Sequence, residues 1–165
     1  MDEPLPPYVV HIDDVAEQEG VYPAPFDAEK GTVYRDLGRA AGSRAIGFAH
    51  ERLLPGRRLC FTHAHSHEEE LVYVISGTCA VRLLEPGASA ARELPLRAGH
   101  AVSFPPGTGI AHTFVNRGTE ECVLFVVGER RPTEDRVVYP EDPAYDAHHA
   151  ATRADRHWFD RPRSP

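Results

Sequence analysis

Three histidines and a glutamate carry the reactive chemistry of this chain: His63, His65 and Glu70 in THAHSHEEELVYVISG, and His112 further on in FPPGTGIAHTFVN. Neutral imidazole nitrogen combined with a hard carboxylate oxygen satisfies iron, manganese, nickel or zinc, so the set suits one divalent transition metal. Four protein donors on a five- or six-coordinate ion leave room for water, dioxygen or a chelating substrate. That is a layout for Lewis-acid or redox chemistry rather than for a sealed structural site.

The spacing dictates what must position these donors. Side chains alternate faces along a strand, so His63 and His65 project from one face and can chelate the same ion. His67 shares that parity, which leaves His65 with His67 as the alternative pair. Glu70 follows an acidic bend, Ser66 to Glu69, and has to come from the start of the next strand or from beyond a bulge. His112 must arrive from an opposite strand, and a barrel supplies that closure, since inward residues of distant strands converge on its interior.

The surrounding sequence is patterned for such a barrel. From about Thr32 to Val127, short runs of β-branched and aromatic residues are broken by Gly or Pro, the mark of an all-β sandwich or barrel. Strands are expected over 44–53, 59–65, 71–75, 79–84, 101–104, 112–116 and 122–127. Their separators are turn sequences such as Leu54-Pro55-Gly56, Ser76-Gly77 and Pro105-Pro106-Gly107. Residues 1–30 read as an N-terminal arm with one apolar patch, Tyr8 to Ile12. Residues 31–128 read as the barrel, and 129–165 as a charged, proline- and histidine-rich tail. The tail has too few apolar residues for a core of its own. A short helix is expected near Tyr145 to Arg156, with Trp158 and Phe159 anchoring the tail on the barrel or on a neighbouring subunit. His148, His149 and His157 lie in a charged, solvated stretch and read as surface residues.

Composition narrows the partners. The 165 residues fit one domain. Lys plus Arg total 18 against 25 Asp plus Glu, a formal charge of −7 that opposes binding to nucleic acid or to anionic lipid. The start, MDEPLPPYVV, lacks a basic segment leading into an apolar one, and no apolar run is long enough to cross a bilayer, so a soluble, cytoplasmic protein is expected. The three cysteines, Cys60, Cys79 and Cys122, lack CxxC spacing and argue against both a disulfide framework and a cysteine zinc site. Cys79 and Cys122 read as core filler, whereas Cys60, just upstream of His63, is placed to face the same cavity.

Two segments carry a family resemblance. Gly56-RRLCFT-His63-A-His65-SHEE-Glu70-LVYVIS-Gly77 resembles the first motif of the cupins, and Gly99-HAVSF-Pro105-P-Gly107-TGIA-His112-TFV-Asn116 resembles the second. The likeness covers about residues 44 to 128. It implies a double-stranded β-helix, or jelly-roll, barrel, with His63, His65, Glu70 and His112 as ligands of one divalent metal. Two loops depart from the family pattern. The stretch from Gly56 to His63 is one residue longer, and that from Gly107 to His112 is two residues longer, as in a broad group of cupins with a PAGTGxAH form.

The resemblance also implies a choice of chemistries on a small organic molecule: oxygenation, isomerisation or lyase-type cleavage. The alternative is a non-catalytic cupin that captures a sugar or a carboxylate. His50, Arg52 and Tyr73, with Arg82, are candidates to stand behind the ligands, His50 as a general base. Phe48, Phe61, Val72 and Phe114 are candidate apolar walls. Asn116 is expected to fix a turn through side-chain hydrogen bonds to backbone. A homodimer is expected from family habit, with Tyr8 to Ile12 as a strand or the aromatic tail crossing to the partner.

Overall fold

Alternating short apolar runs, each ended by a Gly or Pro turn, fold here into antiparallel strands. The computed structural model describes residues 5–162; the ends of the arm and of the tail, 1–4 and 163–165, lie outside the described residues. In chain order the elements are β1 (Gln18–Val21), β2 (Lys30–Asp36), a single helical turn α1 (Leu37–Ala40), β3 (Ile46–Leu53), β4 (Ala64–His65), β5 (Glu70–Ser76) and β6 (Thr78–Leu84). They continue with β7 (Arg92–Arg97), β8 (Ala101–Phe104), β9 (Ala111–Val115), β10 (Cys122–Glu129), β11 (Val137–Val138) and α2 (Pro143–Thr152). One sheet has the order β1-β2-β3-β10-β5-β8, a second β7-β6-β9, and β11 pairs with β4.

The two larger sheets face each other across one apolar core. Leu53, Val72, Val74, Phe104, Cys122 and Leu124 come from the first sheet, and Cys79, Val81 and Phe114 from the second. Leu53, Val74, Phe114, Cys122 and Leu124 are all 0% exposed, and each fully buried large side chain contributes roughly 1.5–3 kcal/mol. This is the jelly roll that the motifs imply. Glu70, Val72 and Val74 share the inner face of β5, so the core fills one end of the barrel and the polar site lies toward the other. Gly77 links β5 to β6 at φ +77°, and a Cβ there would lie 2.5 Å from the Glu121 carbonyl, so both the turn and the neighbouring strand require glycine.

Several elements differ from expectation. The stretch expected as a strand over 59–65 is regular only at β4. Upstream of it the chain is held by isolated bridges, Arg58 to Val115 and His63 to His112. β7 was hidden because its sequence, RELPLR, is charged and contains Pro95, features tolerated only on an edge strand. β1, within the arm, and β2 likewise lack a strong apolar alternation. Tyr8 to Ile12 does not form a strand; it leads into a 3-10 turn at Ile12–Asp14.

The tail closes over the barrel as a covering layer. α2 starts with Pro143 in its first turn, where the missing N–H costs nothing, and a 3-10 turn at Ala154–Arg156 follows it. Trp158 is 8% exposed against Ala64, Ala111 and Val138, whereas Phe159 is 65% exposed. Among the described residues no helix is long and apolar enough to cross a membrane.

Candidate metal centre

The irregular segment before β4 still delivers its histidines, because reciprocal backbone bonds tie it to β9. His63 N–H donates to the His112 carbonyl at 3.0 Å, and His112 N–H to the His63 carbonyl at 2.8 Å. Glu70 opens β5, as expected of a residue just past the acidic bend. Donor atoms of His63, Glu70 and His112 all lie within 4.8 Å of one another. The His65 ring stands 4.8 Å from the His63 ring, and the His63 and His112 rings are also 4.8 Å apart. His67 is exposed, its Nδ1 meeting the Ser66 hydroxyl at 2.8 Å.

Each of the three histidines has an acceptor at its Nδ1. His65 Nδ1 donates to Asp135 Oδ2 at 2.7 Å, His63 Nδ1 to the Phe61 carbonyl at 3.0 Å, and His112 Nδ1 faces the Ile110 carbonyl at 3.4 Å. Acceptors at Nδ1 select the tautomer with its proton there, which leaves Nε2 as the lone-pair nitrogen on all three rings. Among the described residues three buried side-chain atoms have no hydrogen-bond partner, and two of them, Glu70 Oε1 and His112 Nε2, face each other at 3.6 Å. Orphaned acceptors buried this way are costly unless a cation satisfies both. His63, Glu70 and His112 therefore fit a divalent metal; His65 stands beside them but groups with Glu68 and Asp135.

The electrostatics point the same way. Burial opposes charge on Glu70, yet His112, His63 and His65 hold its carboxyl down at about 2. Burial, with the neighbouring imidazoles, pushes the His112 pKa below the ordinary histidine value despite Glu70, which keeps the ring in the neutral form that a metal needs. Phe104 stacks flat on His112, with centroids 3.5 Å apart and planes 2° apart, and fixes the ring on its apolar side.

A family model for the cupin domain matches residues 49–128. A putative sugar phosphate isomerase from Acidithiobacillus ferrooxidans is 29% identical, with a TM-score of 0.70 over 82% of this chain and 83% of its own. A sugar phosphate isomerase of the cupin superfamily from Silicibacter pomeroyi is 30% identical, with a TM-score of 0.69 over 79% of this chain and 80% of its own. The chain belongs to the cupin superfamily. The polyketide cyclase RemF from Streptomyces resistomycificus, 23% identical at a TM-score of 0.59, shares the fold over 89% of this cupin and 94% of its own chain. No protein of curated function matches this cupin in sequence.

Within this cupin barrel, three residues expected beside the metal lie on the outer face of the larger sheet. Inward parity on β3 belongs to Ala49, Glu51 and Leu53, so His50 and Arg52 point away. The His50 ring packs 5.9 Å from Phe125, and Arg52 pairs with Glu121 at 2.9 Å and Glu17 at 3.0 Å. Burial, with Arg35 and Arg52, lowers the His50 pKa. Tyr73 occupies the same outer row, opposite Phe125, and is 47% exposed. Arg82 is held by Glu141 at 2.7 Å and Glu93 at 3.0 Å. Phe48 also lies outside, against Phe125 at 4.9 Å.

Phe61 stacks on Tyr145 of α2 at 4.2 Å, so the tail caps the barrel beside His63, while Val72 and Phe114 belong to the core beneath the site. Cys60 does face the centre. Its Sγ lies 3.3 Å from His63 Nδ1, and burial pushes its thiol pKa up, so it is a neutral neighbour.

Asp135 is the residue that sequence reasoning missed. Its carboxylate accepts the His65 ring at Oδ2, and at Oδ1 the backbone N–H groups of His67 at 2.9 Å and Glu68 at 3.2 Å. Burial alone would raise its pKa, but the His65 bond and these N–H donors hold it at about 2. Nothing in RRPTEDRVV marks this aspartate among neighbouring charges; only the β11 to β4 pairing, which sets Val137 opposite His65, carries it there.

Proposed function

We propose that this cupin is a metal-dependent enzyme acting on a small molecule that carries a hydroxyl beside a carbonyl, with isomerase-type chemistry. The observation that carries the reading is the pair of buried, partnerless atoms Glu70 Oε1 and His112 Nε2, set among imidazoles whose Nδ1 atoms are already engaged. His63, His65, Glu70 and His112 would hold the ion. A bound divalent metal supplies Lewis acidity to a substrate oxygen. The protein side keeps His112 neutral, fixes the ligand rings through their Nδ1 partners and excludes water on the side of Phe104 and Phe114. The isomerase class is supported by the two sugar phosphate isomerase relatives, which match about four-fifths of each chain. A homodimer belongs to this reading, supported by Ile46, Leu71 and Tyr73 exposed on the outer face of the larger sheet.

Metal analysis of protein purified without chelator, followed by assay of the loaded protein on aldoses, ketoses and their phosphates, tests the proposal. About one equivalent of metal, lost in His63→Ala and His112→Ala, with interconversion seen by NMR, is the expected result. Well under one equivalent, unchanged by those substitutions, would refute the metal reading. Oxygen uptake by the Fe(II)-loaded protein would move it to the oxygenases, and ligand-induced stabilisation without product would make it the sugar- or carboxylate-binding cupin.

A further inference from the structure

Beside Glu70, one row of the larger sheet's inner face has no side chains of its own beyond the glutamate. In the strand register Glu70 lies opposite Gly128, and Gly128 opposite Gly47, so the row leading from Glu70 to β3 carries no side chains. The next row is Val72, Val126 and Ala49, and the one after it Val74, Leu124 and Glu51. An open cleft of about 210 Å³ lies here, lined by Gly47, Ala49, Glu51, Val126 and Gly128 with Asp36, Phe48 and Arg130 toward its rim; it adjoins Glu70 through Gly128, and the ligand candidates themselves do not line it. At ~30 Å³ per water molecule, that is room for a small metabolite.

Glu51 is the unexplained group on this wall. One carboxylate oxygen accepts the Thr32 hydroxyl. Among the described residues no cation pairs with it, whereas Asp36 at the rim has Arg130 at 3.0 Å and Glu129 has Arg131 at 2.7 Å. Burial raises its pKa to about 7, with the Glu70 charge adding and Thr32 opposing. The groups that face it are Thr32 and Tyr34 from β2, Glu70 from β5, Cys60 from the segment before β4, the Asp36–Arg130 pair at the rim, and uncharged Leu124 and Val126 from β10. A half-buried carboxyl that has no structural cation and changes protonation near neutrality is suited to carrying a proton.

We propose that Glu51 is the catalytic residue that moves the proton between neighbouring carbons of a small hydroxycarbonyl substrate seated in this cavity. The assignment rests on the isomerase reading above. Glu51 takes the proton from the hydroxyl-bearing carbon, and the C–H electron pair becomes the carbon–carbon double bond of an enediol. The former carbonyl oxygen receives the hydroxyl proton. The double-bond pair then takes the proton back from Glu51 at the former carbonyl carbon, and a new carbonyl forms beside it. No oxidant or reductant is consumed.

The test compares metal-loaded wild type with Glu51→Gln, which keeps shape and removes the proton carrier. Glu51→Gln is expected to retain the metal and to keep KM within a few-fold, while kcat and deuterium incorporation from D2O fall by about 100-fold or more. Thr32→Val tests the same role in a protein that keeps Glu51. Loss of the hydroxyl raises the Glu51 pKa, so the acidic limb of the kcat/KM profile, expected near pH 7, shifts to higher pH. Melting of the metal-free proteins supplies a reading independent of turnover: a pH dependence between about 4.5 and 7 that Glu51→Gln abolishes. Turnover within tenfold of wild type in Glu51→Gln, or an unmoved limb in Thr32→Val, would overturn the assignment. A wild type that binds metal but isomerises none of the substrates overturns the reading beneath it instead.

Discussion

His65 and Asp135, 70 residues apart in sequence, are joined by a 2.7 Å bond from Nδ1 to Oδ2, with the aspartate side chain 0% exposed. The contact brings the tail to the candidate metal centre. A carboxylate behind a ligating imidazole orients the ring and raises its basicity. Asp135→Asn is therefore expected to weaken metal affinity by about 10- to 100-fold while the fold persists. Competition against a chelator of known affinity, with circular dichroism as control, measures this; unchanged affinity would make the bond structural only.

On the proposed metal reading, removing the ion should destabilise the barrel, because its ligands come from β5, β9 and the segment before β4. With free metal at about 100 times its Kd, bound ion adds about 2.7 kcal/mol, so chelation should lower Tm by about 5–10 °C for a domain of this size. Thermal melting with and without chelator reads the shift. His112→Ala should show none.

Glu51 gives the metal-free protein a pH dependence of defined sign. Its folded pKa is raised from 4.5 to about 7, so the folded state holds the proton more tightly than the unfolded chain. The associated stability is complete below about pH 4.5 and is lost as pH rises through 7, a change of about 3 kcal/mol. Denaturant unfolding at pH 5 and pH 8 should show the difference in wild type relative to Glu51→Gln. A wild type that gains stability on Glu51→Gln equally at both pH values would contradict it.

Asn116 fastens the loop before β10. Its Nδ2 donates to the carbonyls of Leu53 at 2.8 Å and Glu120 at 2.7 Å, and its Oδ1 accepts from Gly118 N–H at 2.9 Å. The residue is 1% exposed. Asn116→Ala removes all three bonds and leaves buried backbone groups unpaired, so a loss of about 3 kcal/mol is expected by urea unfolding. A loss below about 1 kcal/mol would mean that water replaces the amide.

The sequence by itself determined the barrel and the donors. Period-two alternation and Gly or Pro turns are local signals, and they located β5, β6, β8, β9 and β10 to within about two residues, by alternation in β5 and β6 and by the bounding turns for β9, which is buried throughout. The placing of Glu70 at a strand start was legible from the acidic bend before it.

Tertiary structure alone decided which face of β3 looks inward. His50, Glu51 and Arg52 are adjacent polar residues, so alternation has no apolar partner from which to take its phase until β10 pairs with the strand and buries Leu53. It also decided that a solvated-looking tail delivers Asp135 to His65, since β11 pairs with β4 across a long stretch of chain. Hydrophobic pattern records how a segment lies relative to the core. It does not record which distant carboxylate settles behind an imidazole.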